Sequence, residues 1–453
     1  MSSEFRSHIP ASVSSVIETL QQNGHQAHVV GGCVRDLLMG RKPKDWDVTT
    51  DALPAETAAL FAKVIPTGMK HGTVTVLVDD EPIEVTTYRT DGDYTDGRRP
   101  DSVRFGVSLG EDLARRDFTM NAIAYDPRAD SLVDPFEGKK AIVERKIRAV
   151  GRAEDRFRED GLRAMRALRF MATLGFELDA TILIAVTATL NVLAKVSAER
   201  FRDELLKMLG AEHPRAALDA AQRTGALGLV IPELNEGVGC TQNRHHKHDV
   251  WTHTLVAVDH TIGDPIRRLG ALLHDVGKPG TRAAYEDRPG EFSFLQHELT
   301  GAEMTASIAE RLKLSSEQKQ RVVGMVEHHM FTCDPDQKAS NLRRFLRRVS
   351  PELIPDLFAL RIGDVVGKGL GEDATGRVNL FREAIERVQH EPQLLSERDL
   401  AIDGRDVMRE LALTPGPRVG TVLKTLLERV TENPELNTRD LLLALLPELP
   451  NNC

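Results

Sequence analysis

The spacing of apolar residues changes once along the chain, near about residue 150. Before that point, short apolar or β-branched runs end at turn residues, as in residues 27–30, 73–78 and 83–88. Runs of this kind are typical of β-strands, and the last two predict a hairpin closed by an Asp-Asp-Glu-Pro turn. Later apolar residues recur three or four positions apart, as in the stretch 162–171, which is the period of an α-helix. The pattern therefore predicts an α+β region followed by a long helical region.

The composition is that of an ordinary globular protein. Of the 453 residues, 41% are hydrophobic and 28% are charged, and 59 Lys and Arg against 68 Asp and Glu give a net charge of −9. These values exclude a disordered or fibrous chain, and the length suggests roughly three domains. The four cysteines lie far apart and never form a CxxC pair. This spacing excludes a disulfide scaffold and a cysteine-built zinc site, and it suits a reducing compartment.

No segment predicts export or insertion into a membrane. The first ten residues have neither a basic region nor an apolar core, so no signal peptide is expected. The least charged stretch, 180–194, has fifteen residues. A membrane span needs about 20 mostly apolar residues, so this stretch predicts a buried helix. We expect a soluble, cytoplasmic protein with no membrane partner.

The acidic total conceals one basic segment. Residues 142–170 hold nine Lys and Arg against five acids, a local charge of +4. Because local patches of charge govern contact with nucleic acid, the acidic total does not exclude an RNA partner. A solvated helix face is the alternative, and the charge pattern alone favours it.

A glycine turn is the first candidate for chemistry. The predicted strand 27–30 runs into Gly31-Gly32, and a helix is expected to begin near Val34. Glycines at such a turn let backbone N–H groups approach an anion, and the start of a helix adds positive potential. Arg35 can then form an ion pair with a phosphate. A tight connection without any ligand is the alternative.

Two aspartates follow about a dozen residues later. If Asp45 and Asp47 both lie on a strand, their carboxylates share one face and repel each other unless a cation lies between them. Mg²⁺ prefers oxygen ligands and commonly binds one or two carboxylates together with substrate phosphates. An Asp-x-Asp pair often caps a turn instead, but its place after a glycine turn favours a metal site.

Several motifs resemble those of a known family. They are GGCVRDLLMG, KDWD, IPTGMKHGTVTV, IEVTTYRTDGDYTDGRRPD, RRDFTMNAIAYD, EDGLRAMRALRFMATLGF, SAERFRDELLKML, LAIDGRDVMRELALTPGPRVGTVL and ENPELNTRDLLLALL. They span nearly the whole chain and resemble the bacterial class II CCA-adding tRNA nucleotidyltransferases, which share a superfamily with polymerase beta. The resemblance implies addition of CCA to the tRNA 3′ end from CTP and ATP without a nucleic-acid template.

The same resemblance implies four parts. The first, 1–145, is an α+β nucleotidyltransferase head with a polymerase-beta-like mixed sheet and flanking helices. Three all-α parts follow: a neck that recognises the base (146–215), a body (216–375) and a tRNA-binding tail (376–453). The oligomeric state stays open.

In the head, the resemblance implies a two-metal site. Asp45 and Asp47 would hold two Mg²⁺ ions, and Glu84 stands where this superfamily often places a third carboxylate. The metals would lower the pKa of the tRNA 3′-OH and stabilise charge on the attacked α-phosphate and the leaving pyrophosphate. By the same resemblance, Gly32 and Arg35 would contact the triphosphate, Arg116 the nucleotide and Asp117 the ribose. A surface salt-bridge cluster is the alternative for Arg116 and Asp117.

A stripe of charge in the predicted neck offers a way to select bases. Its members recur every three residues: Asp160, Arg163, Arg166 and Arg169. Cytosine and adenine each present an amino donor beside a ring-nitrogen acceptor, whereas uracil and guanine present the reverse. A carboxylate beside a guanidinium, Asp160 with Arg163, complements the first pattern and leaves buried groups unpaired against the second. The resemblance implies this templating role for EDGLR and nucleotide contacts for the last two arginines; an exposed arginine row is the alternative.

A polar segment, 89–100, separates the strand of Glu84 from RRDFTMNA. In the family this is the flexible loop needed to switch from C to A addition, and relatives that add only C lack it. Its presence argues against a C-only enzyme. A plain solvent loop is the alternative.

The body contains the H…HD…D pattern of metal phosphohydrolases, at His253, His274-Asp275 and Asp364. Further candidate ligands are His297, His328 and His329. Imidazole and carboxylate ligands suit Mn, Ni, Fe or Zn, and a metal-bound water would attack a phosphoester. The resemblance implies a 2′,3′-cyclic phosphodiesterase or a phosphatase. The alternative is a degenerate HD fold kept for its shape.

A basic cluster and several competing functions stay open. The cluster comprises Arg343, Arg344, Arg347 and Arg348, which either contact tRNA phosphates or form a solvated face. A-only addition and poly(A) synthesis share the head and neck motifs with CCA addition, although TGMKHGTVTV and the HD body favour a tRNA enzyme. Other classes are an HD phosphohydrolase with an inactive head and a non-catalytic RNA-binding protein.

Overall fold

The computed structural model of the chain describes residues 2–92, 102–244, 246–288, 290–369, 373–389 and 396–449. It contains two compact units, each considered by itself. Residues 1–235 with 310–313 form the first unit, and residues 236–309 with 314–453 form the second. Most of the predicted flexible loop, from residue 93 onward, lies outside the described residues. The predicted order, an α+β region followed by helices, is confirmed.

The first unit is built on a mixed sheet of seven strands. The strands of this unit are β1 Ala27–Val30, β2 Asp47–Thr50, β3 Val64–Gly68, β4 Thr73–Val78, β5 Glu81–Thr87, β6 Arg89–Asp91, β7 Val103–Phe105, β8 Ala124–Asp126, β9 Ser131–Val133, β10 Lys146–Ile147 and β11 Glu177–Leu178. The sheet order is β3-β4-β5-β2-β1-β8-β9. Strands β2 and β5 are parallel, and the other neighbours in the sheet are antiparallel.

The predicted hairpin is confirmed. Strands β4 and β5 pair in an antiparallel register that brings Val78 beside Glu81. The two residues between them, Asp79 and Asp80, have φ angles of 52° and 63°. Two-residue hairpin turns with positive φ at both positions match the twist of the flanking strands, and aspartate tolerates that conformation.

The helices of the first unit cover the sheet and then continue as a helical segment. They are α1 Ser2–His8, α2 Ala11–Gln22, α3 Gly32–Leu38, α4 Pro54–Leu60, α5 Leu109–Ala114, α6 Gly138–Val143, α7 Ala153–Glu159, α8 Leu162–Leu174, α9 Ala180–Ala188, α10 Leu190–Leu193, α11 Ala198–Leu209 and α12 Pro214–Arg223. Helix α8 packs against both α11 and α12. Its buried face is apolar, with Met165, Ala167 and Leu168 fully excluded from solvent.

The prediction of one buried helix over 180–194 is wrong. The chain forms α9 and α10 instead, and Ile184 is 69% exposed. The break falls at buried Thr189, whose hydroxyl donates to the carbonyl of Ala185 at 2.7 Å. A threonine hydroxyl that bonds to the preceding turn competes with the helical pattern, which weakens the helix at that point.

Over its described residues, the second unit is helical apart from one short strand pair. Its helices are α13 Val250–His260, α14 Pro265–Leu273, α15 Lys278–Thr281, α16 His297–Arg311, α17 Ser316–His328, α18 Ala339–Arg348, α19 Ile354–Gly367, α20 Asp373–Gln389, α21 Gly404–Glu410, α22 Pro417–Glu432 and α23 Arg439–Leu445. The strands β12 Ala283–Ala284 and β13 Phe292–Ser293 form the pair. Over the described parts of the whole chain, no helix combines the length and the hydropathy that a membrane span requires.

Candidate functional site

Three carboxylates lie near one another in the first unit, two of them on its sheet. In the parallel register of β2 and β5, Asp47 lies directly beside Glu84. Asp45 lies in the bend before β2, so the prediction that it also lies on the strand is wrong. Continuing the register would place Asp45 beside Pro82, which has no N–H to donate to a strand partner.

The surroundings of Asp47 favour the binding of a cation. Burial raises the pKa of Asp47; Arg116 opposes this rise, and the charges of Glu84 and Asp45 add to it. Asp45 and Glu84 are exposed, whereas Asp47 is half-buried. Neighbouring carboxylates that disfavour one another's ionisation are stabilised by a divalent cation, and carboxylate oxygens suit Mg²⁺.

The glycine turn brings Arg116 against this carboxylate group. Gly31 has a φ of +86°, and a Cβ atom there would lie 2.9 Å from Nη1 of Arg116 and 3.8 Å from Oδ2 of Asp47. A side chain at Gly31 would therefore displace the guanidinium of Arg116 and adopt a φ that only glycine takes without strain. Nη2 of Arg116 lies 3.8 Å from Oδ2 of the fully buried Asp112. The absence of a side chain at Gly31 thus lets the backbone, the Arg116 guanidinium and the Asp47 carboxylate lie close together.

Arg35 also lies at this turn, but the protein already occupies its guanidinium. Nη1 donates to Oδ1 of Asn121 at 2.8 Å, while Nε and Nη2 both donate to Oδ1 of Asp36 at 2.9 and 2.7 Å. Gly32 begins α3, and a Cβ there would lie 3.7 Å from Nη2 of Arg35. Arg35 would have to release the Asp36 carboxylate before its guanidinium binds a triphosphate. The contact between Arg35 and a triphosphate stays a prediction.

Asp117 connects the sheet region to helix α8. Its Oδ2 accepts from Nε and Nη2 of Arg166, both at 2.7 Å, and its Oδ1 accepts from Nδ2 of Asn121 at 3.3 Å. Burial would raise the pKa of Asp117, but Arg166 and Arg163 outweigh burial and lower it. A fully ionised, fully partnered carboxylate holds α8 in place. Its predicted contact with a ribose stays a prediction.

The structure does not form the predicted pair between Asp160 and Arg163. Asp160 ends α7 in an extended conformation, and its Oδ2 lies 2.9 Å from Nη2 of Arg200 on α11. Arg163 instead donates to Oε2 of Glu159 at 2.6 Å and to the carbonyl of Arg115 at 3.1 Å. Oδ1 of Asp160 accepts from the N–H of Leu162 at 3.0 Å, so the carboxylate lies between the start of α8 and Arg200 of α11. Asp160 and Arg163 remain adjacent, because the N–H of Arg163 donates to the carbonyl of Asp160.

Three arginines surround the ring of Phe170 on α8. The guanidinium carbons of Arg169, Arg35 and Arg166 lie 4.0, 5.3 and 5.5 Å from the ring centroid. Such distances are typical of cation–π contacts. Nε of Arg169 lies 2.5 Å from Oε2 of Glu204, which is 4% exposed. The ring therefore ties the glycine turn to the predicted base-reading stripe.

Two residues of this site were missed by the sequence reasoning. Arg200 and Glu204 both lie on α11 and contact the stripe through Asp160 and Arg169. The available signal was their spacing of one helical turn within SAERFRDELLKML, which puts both on one face. That spacing gave no indication of which helix the face contacts.

In the second unit, two glycines let α13 and α19 approach closely. A Cβ at Gly363 would lie 2.4 Å from the carbonyl oxygen of Ala257, and a Cβ at Gly367 would lie 2.8 Å from Nδ1 of His253. No side chain other than hydrogen fits these positions without a shift. The close approach places His253 of α13 beside Asp364 of α19, with Nε2 3.3 Å from Oδ1.

The predicted HD residues converge in this buried region. Two groups have their ligand atoms within 4.8 Å of one another: His253, His274 and Asp364 in one, and Asp275, His297 and His329 in the other. All six side chains are at most 5% exposed. The additional candidates His297 and His329 therefore join the predicted ligands. His328 belongs to neither group.

The charges of this region are strongly shifted. Burial would raise the pKa values of Asp275 and Asp364, yet both lie well below the usual range, because His274 and Lys278 stabilise the first carboxylate and His253, Lys368 and Arg361 the second. Burial alone would lower the pKa of His253, but the two aspartates raise it to about 9. The region thus contains two buried carboxylates that remain ionised.

The basic cluster on α18 contacts α22 of the same unit. Arg344 forms ion pairs with Glu428 and Glu432, both at 3.0 Å, and Arg347 also pairs with Glu428. Nη1 of Arg343 donates to the carbonyl of Thr431 at 3.1 Å. These contacts fasten α18 to α22. Contact of the cluster with tRNA phosphates stays a prediction.

Sequence models of protein families cover most of the chain. "Poly A polymerase head domain" matches residues 27–148, "Probable RNA and SrmB- binding site of polymerase A" matches 175–237, and "HD domain" matches 261–357. A model for tRNA nucleotidyltransferase domain 2 matches 372–446. The four matches follow the order of the motifs along the sequence.

Individual relatives are similar over different lengths. The CCA-adding enzyme of Geobacillus thermodenitrificans is 50% identical over 221 residues, 49% of this chain and 54% of the relative. The one of Bacillus cereus is 50% identical over 196 residues, 43% of this chain and 49% of the relative. The matches thus span about half the length of these curated relatives.

Solved structures match over nearly the full length. The Bacillus stearothermophilus CCA-adding enzyme in complex with CTP has a TM-score of 0.70 and 30% identity, covering 97% of this chain and 98% of that one. The Thermotoga maritima CCA-adding enzyme complexed with tRNA has a TM-score of 0.62 at 18% identity, over 99% and 98% of the two chains. The second similarity shows the fold alone.

Proposed function

This chain belongs to the CCA-adding enzyme family, and from that premise we propose that it adds CCA to the 3′ end of tRNA from CTP and ATP without a nucleic-acid template. The observation that carries the proposal is the group of Asp45, Asp47 and Glu84 beside the Gly31 turn and Arg116. A cytoplasmic location and tRNA, CTP and ATP as partners are part of the proposal.

The residues of the first unit have separable roles in this proposal. Asp45 and Asp47 would hold Mg²⁺, with Glu84 as a third carboxylate. When bound, Mg²⁺ lowers the pKa of the 3′-OH and stabilises charge on the α-phosphate and the leaving pyrophosphate. Arg116 lies against Asp47 across the glycine turn, where its guanidinium can bind a phosphate oxygen of the nucleotide.

Base selection is assigned to the stripe on the neighbouring helices. The Asp160 carboxylate accepts a hydrogen bond from the amino group of cytosine or adenine, and a guanidinium donates to the adjacent ring nitrogen. Arg163 is the proposed donor, because its backbone N–H donates to the carbonyl of Asp160 and keeps the two residues adjacent. Arg200 orients the Asp160 carboxylate in the absence of a base, with Nη2 2.9 Å from Oδ2. Uracil and guanine would leave both groups unpaired.

The proposal is tested with three tRNA substrates, ending before CCA, after C and after CC, with labelled CTP or ATP. Extension of all three to one fixed length supports CCA addition. Extension of the CC-ended tRNA alone would show A-only addition, and unlimited A tails on any RNA would show a poly(A) polymerase. No incorporation with Mg²⁺ would leave a non-catalytic RNA-binding protein or an HD phosphohydrolase.

A second activity is proposed for the second unit, a metal-dependent phosphoesterase. The buried groups around His253, His274 and Asp364 are the observation that favours it. Imidazole nitrogens with carboxylate oxygens fit Mn, Ni, Fe or Zn better than Mg²⁺. Hydrolysis of a 2′,3′-cyclic nucleotide with Mn²⁺ or Ni²⁺ tests it, and retention of this hydrolysis in Asp47→Asn assigns it to the second unit. Failure in every metal would indicate a degenerate HD fold.

A further inference from the structure

The guanidinium of Arg116 has few partners within the protein. Nη1 donates to the carbonyl of Asn121 at 3.4 Å, and Nε is buried without a hydrogen-bond partner among the described residues. The whole side chain is only 19% exposed. A buried N–H without an acceptor is costly, so such a guanidinium suits a site that an anion occupies from outside.

Asp112 is the fully buried carboxylate beside this guanidinium. It precedes Arg116 by four residues, and its Oδ2 lies 3.8 Å from Nη2 of Arg116. At this distance the two charged groups attract each other but do not form a hydrogen bond. Asp112 therefore holds the charge of Arg116 and leaves the N–H groups at Nη2 available to a ligand.

The two oxygen atoms of Asp112 have different partners. Oδ1 accepts from Nε of Arg115 at 2.9 Å and from the backbone N–H of Arg89 at 3.3 Å. Oδ2 lies 3.3 Å from the hydroxyl of Thr49 and is the oxygen nearest to Arg116. The contacts at Oδ1 fix the rotation of the carboxylate, so Oδ2 is held toward the guanidinium.

These contacts also fix Arg116 relative to the strand of Asp47. Thr49 lies on β2, two residues after Asp47, and Asp112 lies on α5. Alternate residues of a strand lie on one face of the sheet, so Thr49 and Asp47 share a face. The carboxylate of Asp112 thus connects α5 to the same face of β2 that carries the proposed metal ligand.

Other carboxylates near Arg116 have other partners. Asp47 and Asp117 also attract its charge, but Asp117 is bound to Arg166 at 2.7 Å. Asp47 is half-buried and is the proposed ligand of Mg²⁺, and a bound cation weakens the attraction between Asp47 and Arg116. Asp112 is excluded from solvent, so it stays the partner of the guanidinium when nucleotide and metal are bound.

We propose that Asp112 is a positioning residue of the nucleotidyltransferase site, which holds the guanidinium of Arg116 where it binds a phosphate oxygen of CTP or ATP. Asp112 does not touch the nucleotide itself. This inference rests on the proposed function and adds to it the group that keeps Arg116 in place.

The test is a double-mutant cycle between Asp112 and Arg116. CTP binding to the full-length chain is measured by isothermal titration with Mg²⁺ and without tRNA, for Asp112→Asn, Arg116→Ala and the double variant. Asparagine keeps the shape of aspartate and one acceptor oxygen for Arg115, but it lacks the charge that attracts Arg116. We expect Asp112→Asn to weaken CTP binding about 10-fold in the unaltered chain and to have no further effect beside Arg116→Ala.

Steady-state incorporation of CTP gives a second measurement, and kcat/KM completes the cycle for variants that bind too weakly for titration. KM for CTP should increase more than kcat decreases, since Asp112 does not contact the reacting atoms. Glu111→Gln is the matched control, because it removes one negative charge from the same helix at a side chain that is 48% exposed. It should bind CTP like the unaltered chain.

Thr49→Val replaces Asp112→Asn if that variant fails to fold. It removes the hydroxyl beside Oδ2, so it should weaken CTP binding to a smaller extent, and only when Arg116 is present.

Equal weakening by Asp112→Asn with and without Arg116 would show that Asp112 does not act through Arg116, and it would overturn the inference. Unchanged CTP binding by Asp112→Asn, together with a clear loss for Arg116→Ala, would also overturn it while leaving the proposed function intact. Unchanged binding by Arg116→Ala would instead refute the proposed nucleotide contact of Arg116, and the inference would fail with it.

Discussion

At the scale of single residues, two carboxylates of the first unit differ in the charges that surround them. Asp47 has neighbouring acids, and burial with these acids raises its pKa. Asp117 has Arg166 and Arg163 as neighbours, which lower its pKa despite burial. The first environment suits a carboxylate that binds an added cation, and the second suits one that holds an arginine.

Asp47→Asn should abolish nucleotide addition while the fold is retained. The amide is a weaker metal ligand than the carboxylate, so the loss of rate should exceed the roughly 10–100-fold caused by removing an outer contact to a metal ligand. Incorporation of labelled CTP under saturating Mg²⁺ measures it. Asp80→Asn, in the turn between β4 and β5 and 88% exposed, is the matched control and should retain full activity. Equal rates for both variants would refute the role of Asp47.

Asp160→Ala should relax the choice of nucleotide. Loss of the acceptor removes an unpaired-group penalty of ~1–3 kcal/mol against UTP and GTP, so discrimination should fall about 5–150-fold. Single-nucleotide addition with each of the four triphosphates measures this ratio. Asp155→Ala, on α7 and 47% exposed, is the control. Strict selection of CTP and ATP by Asp160→Ala would contradict the proposed base reading.

Residue types and faces could be predicted from the sequence, but partners could not. Glu84 lies on a strand that its apolar pattern indicates, the strand of Asp47 was only supposed, and the register of the two strands makes these residues neighbours. The partner of Asp160 depends on the extended conformation at the end of α7 and on the approach of α11. Neither is encoded in the local pattern of charges.

At the scale of elements, the packing of α13 against α19 determines the geometry of the histidine cluster. The sequence predicted helices and the H…HD…D ligands, because helical periodicity and motif spacing are local. It did not predict the close crossing, since the role of Gly363 and Gly367 depends on the backbone and side chain that lie opposite them.

Gly363→Ala should separate these two helices and destabilise the second unit. The new methyl group would lie 2.4 Å from the carbonyl oxygen of Ala257. Forced overpacking of this kind costs about 1–3 kcal/mol. Thermal unfolding and Mn²⁺ retention measure the effect, and both should decrease.

The matched control is Gly376→Ala on α20, where the added Cβ meets nothing within 4 Å. Alanine is a better helix former than glycine by about 1 kcal/mol, so this variant should be unchanged or slightly more stable. If both substitutions had the same effect on the unfolding temperature, the close crossing would not be important.

At the scale of the whole molecule, the chain combines two proposed metal chemistries with different ligands. The first unit offers carboxylate oxygens, and the second adds imidazole nitrogens. Oxygen ligands suit Mg²⁺, whereas nitrogen ligands favour transition metals. The order of motifs predicted this division along the chain, since Asp45, Asp47 and Glu84 all precede the residues of the H…HD…D pattern. The sequence named His297 and His329 as candidate ligands, but their approach to each other was not predictable, because they lie 32 positions apart and folding alone brings them together.

Removal of metals should therefore affect the two activities differently. After treatment with a chelator, addition of Mg²⁺ alone should restore incorporation of CTP and ATP but not hydrolysis of a cyclic phosphodiester. Subsequent addition of Mn²⁺ or Ni²⁺ should restore the hydrolysis. Recovery of both activities by Mg²⁺ alone would show that the second site does not require a transition metal.

The ion pairs of the first unit have a consequence for how anions bind there. The arginines Arg35, Arg163, Arg166 and Arg169 each contact a carboxylate, of Asp36, Glu159, Asp117 and Glu204 respectively. A triphosphate that engages them replaces one anion by another, so few counterions leave the protein surface. A plot of the logarithm of nucleotide affinity against the logarithm of salt concentration should consequently be less steep than it would be for four arginines without carboxylate partners. Isothermal titration of CTP at several potassium chloride concentrations would reveal this shallow slope.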